Sequence, residues 1–218
     1  MIRLSSLMPA FACCFLFLQA ATAQEAKNAG QTQSLFDGKS LDGWKVTDFG
    51  GEGEVSVKDG EIIMRLGQPL TGISWKAGDQ LPKDNYEISL QAMKRKGDDF
   101  FCALTFPVRD SHASFVLGGW GGSVVGISSI NGLDASENET TKYEKFEQNK
   151  WYAVRVRVAG GKVECFIDGD QKAEVDLQDN RLSTRIEVDP SKPLGICNYN
   201  TETGLKDIKL TRLAEKKK

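Results

Sequence analysis

Asp110, Ser111 and His112 place a carboxylate and an imidazole two positions apart. On an extended segment both side chains share one side, the arrangement of a general base held by an orienting acid. His112 is the only histidine, so a zinc site of two or three imidazoles cannot form, and no Gly-x-Ser-x-Gly elbow exists to present a triad nucleophile. A loop histidine hydrogen-bonded for structure is the alternative. The densest acidic stretch, Asp134-Ala-Ser-Glu137-Asn138-Glu139, is polar and irregular. It offers Glu137 as a second candidate acid or base and Asp134 as an oxygen ligand for a divalent cation such as calcium or magnesium, with a merely solvated loop as the alternative. Gly118-Gly119-Trp120-Gly121-Gly122 frames an indole with glycines, so a flat sugar ring could stack on Trp120 while the backbone comes close. A wide turn whose tryptophan covers a sheet edge is the competing explanation.

The elements that must position these residues are strands. Turn signals recur at Asp37-Gly38, Asp42-Gly43, Gly50-Gly51, Asp59-Gly60, Gly118-Gly119, Gly160-Gly161 and Asp168-Gly169, with short apolar runs between them. The clearest alternation runs from Trp151 to Val158, putting Tyr152, Val154, Val156 and Val158 on one face and Arg155 and Arg157 on the other. Residues 162–168 and 171–177 continue it as an antiparallel meander. No window of a dozen residues holds a helical period, which excludes a parallel sheet with crossover helices. The expectation is an all-β fold, a sandwich of two antiparallel sheets with about a dozen strands.

The 28 basic and 30 acidic side chains give a formal net charge of −2 without a basic stripe, so no nucleic-acid partner is expected. Arg3, the broken apolar run from Leu4 to Leu18 and Ala21-Thr22-Ala23 read as a signal peptide over residues 1–23. That run is too short and interrupted for a membrane span, so the expected location is the periplasm or the extracellular space. Residues 24–34 read as a flexible linker, 35–213 as the folded domain and 214–218 as a basic tail. Cys102, Cys165 and Cys197 are too widely spaced for a zinc knuckle or a redox motif and sit in apolar strand-like runs, as buried free thiols do, with one disulfide and a spare thiol as the alternative in an exported protein.

The stretch Ser34-Leu35-Phe36-Asp37-Gly38-Lys39-Ser40-Leu41-Asp42-Gly43-Trp44 resembles the opening of the 3-keto-disaccharide hydrolase, or 3-keto-glucoside lyase/hydratase, domain family, long known as domain of unknown function 1080. Val57-Lys58-Asp59-Gly60-Glu61, Asn85-Tyr86-Glu87-Ile88, Asn149-Lys150-Trp151-Tyr152, Asp168-Gly169 and Lys206-Asp207-Ile208-Lys209-Leu210 extend the resemblance across residues 34–213. It implies a concanavalin A-like jelly roll whose concave sheet faces a carbohydrate or small glycoside. The activity implied is cleavage of 3-keto-glycosides by hydrolysis or by elimination and hydration. Residues 100–107 and 114–118 depart from many relatives by lacking a glutamate on the strand. On this basis His112 or Glu137 is the expected base and Asp110 or Asp134 the orienting or metal-binding carboxylate. Trp120, Asn138 and Arg109 are the expected substrate contacts. A non-catalytic carbohydrate-binding module and a laminin-G-like protein-interaction domain are the alternatives on the same fold.

Overall fold

A computed structural model describes residues 30–214. The proposed leader (residues 1–23), most of the proposed linker and all but the first residue of the proposed tail lie outside them. In chain order the strands are β1 (Thr32–Ser34), β2 (Trp44–Val46), β3 (Val55–Lys58), β4 (Glu61–Met64), β5 (Leu70–Trp75), β6 (Tyr86–Gly97), β7 (Cys102–Val108) and β8 (Ser111–Gly118). There follow β9 (Val124–Ser128), β10 (Lys142–Tyr143), β11 (Trp151–Ala159), β12 (Lys162–Ile167), β13 (Asp170–Asp176), β14 (Gly195–Tyr199) and β15 (Thr201–Arg212). An eight-stranded antiparallel sheet runs β13-β12-β11-β6-β15-β4-β3, with β1 paired to β15. A seven-stranded antiparallel sheet runs β10-β9-β8-β7-β14-β5-β2. The chain passes repeatedly from one sheet to the other, as in a jelly roll.

Alternation explains which side chains fill the space between the sheets. Tyr152, Val154, Val156 and Val158 of β11 point inward with Ile88 and Leu90 of β6 and Leu205 and Leu210 of β15, against Leu104 and Phe106 of β7, Phe115 of β8 and Ile127 of β9. The expected register of residues 151–158 therefore holds. One boundary needs correction: Thr32–Ser34, assigned to a flexible linker, pair with β15 as an edge strand. Their polar composition hid the pairing, because an exposed edge strand needs no apolar face.

The motif that carries the resemblance packs into the core at the β2 edge of the seven-stranded sheet. Asp37 accepts hydrogen bonds from the backbone N–H groups of Lys39 (2.8 Å) and Ser40 (2.9 Å), folding the turn. The chain then delivers Trp44, fully buried, whose indole N–H donates to Leu35 O at 2.7 Å. Trp75 packs edge-on against it, with ring centroids 5.2 Å apart. Gly43 is required there twice over: its φ is +83°, and a Cβ would overlap the Trp75 ring.

Cys102, Cys165 and Cys197 are buried and unpaired. Burial pushes the Cys197 thiol up to about 12 and raises the other two as well, so none is a ready nucleophile.

Candidate functional site

The outer face of the seven-stranded sheet is covered by the chain itself. Residues pointing away from the core form two rows across the strands. One row is polar: Ser128 of β9, Ser114 of β8, Thr105 of β7, Gly195 of β14 and Ser74 of β5 stand opposite one another in register. The Thr105 and Ser114 hydroxyls are 2.8 Å apart, and Ser74 lies 2.6 Å from the Thr47 hydroxyl. The second row holds Gly126, Val116, Ala103, Cys197 and Gly72. Over both rows passes the connection from β13 to β14. Val188 packs with Leu70, Ala103, Val116 and Cys197, and Ser191 sits against Gly195, where an added Cβ would lie 2.9 Å from that of Ser191. The loop after β9 caps the far end, with Ala135 against Gly126. This face is thereby filled, and the charged groups near it belong to the covering segments.

Those segments converge on Arg185. One guanidinium nitrogen donates to Asp134 Oδ2, and the Glu187 carboxylate takes the other edge, with Nη2 to Oε1 at 2.8 Å and Nε to Oε2 at 3.3 Å. The Ser129 and Ser128 hydroxyls donate to Asp134 Oδ1 at 3.2 and 3.4 Å, anchoring the loop carboxylate to the end of β9. The guanidinium lies 5.9 Å from the centroid of the Trp120 ring, within cation–π range. Trp120 is 42% exposed and adopts φ +49° inside the Gly119–Gly122 turn. Hydrogen bonding from Arg185 holds the Glu187 carboxyl below its ordinary value, and Glu187 with Asp134 raises Arg185 in return. The result is a fixed cation flanked by two carboxylates beside an exposed indole, suited to a ligand that presents hydroxyl or carbonyl oxygens next to a flat apolar face.

The structure distributes the other expected residues differently. His112 and Trp120 lie toward opposite ends of β8, about 20 Å apart from His112 to Gly118 at the ordinary strand rise, so they do not share one subsite. Asp110 does not orient His112. Arg109 and Asp110 form the hairpin turn, with Arg109 at φ +51°, which breaks the alternation that would have aligned acid and imidazole. Asp110 is fully exposed, with Lys83 Nζ at 4.0 Å. The carboxylate that acts on His112 is Asp189, whose charge works against the stronger effects of burial and of Lys192 and Lys83; together these lower the imidazole and keep it neutral at neutral pH. Arg109 is a clasp rather than a ligand contact, donating to Leu177 O at 2.8 Å beyond the end of β13. Asn138 is buried and consumed by structure: its amide N donates to Ile127 O at 2.8 Å, and its Oδ1 accepts from the Thr140 N–H at 2.9 Å. Glu137 is exposed on the turn beginning at Asp134, its backbone N–H bonded to Asp134 O.

A divalent cation at Asp134 does not fit. Both carboxylate oxygens are engaged, one by the Arg185 cation, and among the described residues no group of three or more His, Cys, Asp or Glu side chains could hold a metal ion. Arg185, Glu187 and Asp189 were not singled out from the sequence. They lie in an aperiodic connection far from Trp120 along the chain, and no local spacing marks them.

The family profile for a 3-keto-alpha-glucoside-1,2-lyase-like domain matches residues 31–211. No curated protein sequence matches the chain. Among solved structures, a candidate glycosyl hydrolase from Parabacteroides distasonis superimposes with a TM-score of 0.53 at 14% identity, covering 88% of this chain and 97% of its own. The carbohydrate-binding module CBM66 from Bacillus subtilis gives 0.52 at 14% identity, covering 77% and 94%. A Crh5 transglycosylase in complex with NAG gives 0.56 at 14% identity, covering 86% of both chains. At these identities the likeness is one of fold, a two-sheet antiparallel β-sandwich of jelly-roll type.

Proposed function

The chain belongs to the 3-keto-alpha-glucoside-1,2-lyase-like family, a carbohydrate-directed family, and from that premise we propose that it cleaves 3-keto-glycosides by elimination. A ketone at carbon 3 acidifies the proton on carbon 2. A carboxylate that removes this proton sends the electron pair toward the carbonyl oxygen as an enolate. Collapse of the enolate expels the oxygen substituent at carbon 1, which takes up the proton the base has just removed, and water then adds across the carbon 1–carbon 2 double bond of the resulting enone. The reaction needs one base and one fixed cation at the enolate oxygen.

The observation that carries this reading is Arg185 clamped between Asp134 and Glu187 beside Trp120. Arg185 is the donor to the keto oxygen and Glu187, the more exposed carboxylate, is the base. Asp134, tied to two serine hydroxyls, positions Arg185, and Trp120 is the platform for the sugar ring. The second reading is a carbohydrate-binding module without chemistry. It draws on the same geometry, since both carboxylates are paired to Arg185 and would serve equally well as hydrogen-bond acceptors. Export to the periplasm or beyond belongs to the same proposal, on the leader-like residues 1–23, and an N-terminus at Gln24 on the exported protein would be its mark.

Turnover of 3-keto-trehalose is the test. Glu187→Gln and Arg185→Met are expected to lower kcat by about a hundredfold or more, and Trp120→Ala to raise KM with less effect on kcat. Glycan binding without turnover in every protein, wild type included, would establish the binding module instead. Full activity in Arg185→Met would remove the proposed site.

A further inference from the structure

The four-residue turn that carries Trp120 also forms, through Gly121 and Gly122, one wall of an open groove of about 470 Å³ at the end of the sandwich. Lys94 and Asp98 line it from the β6 side, and Tyr143, Glu144, Lys145 and Phe146 from β10 and the segment after it. None of these residues belongs to the Arg185 cluster.

Two polar groups in this groove lack partners. Lys94 is only 6% exposed, and its ammonium has neither a hydrogen bond nor an ion pair among the described residues. It occupies a core-facing position of β6, but the strand has there reached the mouth between the sheets. A Cβ added to Gly122 would lie 3.3 Å from Nζ, so the glycine leaves the ammonium open to the groove. Glu144 is the second case. Its Oε1 accepts from Lys172 Nζ at 2.7 Å, whereas Oε2 is buried without a partner. The Lys94 ammonium thus reaches the groove with no protein partner, and the buried Glu144 Oε2, unpaired, weighs against folding unless something else satisfies it. Beside them Tyr143 is 74% exposed on the edge strand β10.

We propose that this groove is a second carbohydrate subsite, one that takes a neutral sugar ring through its hydroxyls. One ligand oxygen accepts a hydrogen bond from Lys94 Nζ, another O–H donates to a carboxylate of the lining, Asp98 or Glu144, and the ring rests on Tyr143. A donor and acceptors in one groove match a sugar, whose hydroxyls play both parts. An anion fits less well, because Asp98 and Glu144 offset the charges of Lys94 and Lys145 within the same lining. Gly121, around which an added Cβ would meet nothing within 4 Å, leaves the rim between Trp120 and this groove open to a ligand longer than one ring. The inference rests on the carbohydrate-directed reading of the family, but not on any reaction.

Isothermal titration of the full chain with trehalose, and separately with inorganic phosphate, tests it. Trehalose is expected to bind, and Lys94→Met and Tyr143→Ala each to weaken it about tenfold. Lys94→Met should leave Tm nearly unchanged, since the ammonium faces the groove and has no protein partner to lose; a structural role for Lys94 would lower Tm instead. Absence of trehalose binding, or affinity unchanged in both variants, overturns the subsite. So does phosphate binding that is lost in Lys94→Met, which would identify an anion site. If 3-keto-trehalose is never turned over while trehalose binding still depends on Lys94 and Tyr143, the subsite stands and the reaction falls. Turnover that persists alongside trehalose binding indifferent to both residues gives the reverse.

Discussion

The two sheets present opposite kinds of outer face. On the eight-stranded sheet, Glu87 meets Arg155 at 2.8 Å, Arg157 meets Glu164 at 2.5 Å and Lys162 meets Glu174 at 2.5 Å, while the Arg155 guanidinium lies 3.7 Å above the Phe166 ring. Such exposed pairs contribute about 0–1 kcal/mol each, and they keep the face wet and single. On the seven-stranded sheet the outward residues of β7, β8 and β9 are small and neutral: Ala103, Thr105, Ser114, Val116, Gly126 and Ser128, all buried beneath segments of the same chain. The difference teaches where function can reside. A face laced with ion pairs is finished by solvent, whereas a face of small neutral residues is finished by whatever lies on it, and here the covering segments bring Arg185, Glu187 and Asp134 to the surface.

The comparison is broken most severely from inside. Val156→Asp would place an unpaired carboxylate between the sheets and is expected to cost about 4 kcal/mol or more, whereas Arg157→Ser on the ion-paired face should cost at most about 1 kcal/mol. Equal melting temperatures would contradict the register of β11. The covering segment allows a contrast within three residues. Val188 is 7% exposed and Ile186 is 82% exposed, so Val188→Asp should lower stability by about 2–4 kcal/mol and open the segment to protease, while Ile186→Asp stays within about 0.5 kcal/mol. The same protease sensitivity in both variants would show that the segment is not packed on the sheet.

The smallest effect is one of pH. Burial first, then Lys192 and Lys83, lowers the folded His112 below its ordinary 6.5, so the unfolded chain binds the proton more readily. The corresponding stability is complete above about pH 6.5 and is lost on acidification through the unfolded value toward the folded one. Because no other histidine titrates in that range, urea midpoints at pH 7.5 and 5.5 should differ less in His112→Gln than in the wild type. An unchanged or steeper difference would mean that the imidazole is not held neutral by its surroundings.

Residues 151–177 show how much was legible beforehand. Their strict alternation, with Gly160-Gly161 and Asp168-Gly169 at positive φ in the turns, yields strands, pairing partners and buried face without reference to anything distant, because the pleat repeats every two residues and one side is apolar. β7 was legible as a strand, but an unbroken apolar run does not say which face is the core. The two residues Lys142–Tyr143 of β10, by contrast, lack the length for any period. The candidate site divides in the same way. Trp120 stands out locally because four glycines surround it. Arg185 does not, since its significance comes from meeting Asp134, 51 positions earlier.

The sequence by itself determined the two-sheet class and the inward and outward sets of the long strands, which follow from local periodicity, turn chemistry and composition, while its motifs carried the resemblance to the family and its glycines marked out Trp120. Only the tertiary structure decided that the outer face of one sheet is filled by the connection from β13 to β14, that Asn138 and Arg109 serve the fold, that Asp110 leaves His112 to Asp189, and that the ammonium of Lys94 faces a groove without a partner. These depend on contacts between segments far apart in the chain. Pairing, burial and the unmet needs of a polar group are properties of the surroundings a residue acquires on folding, not of its neighbours in sequence.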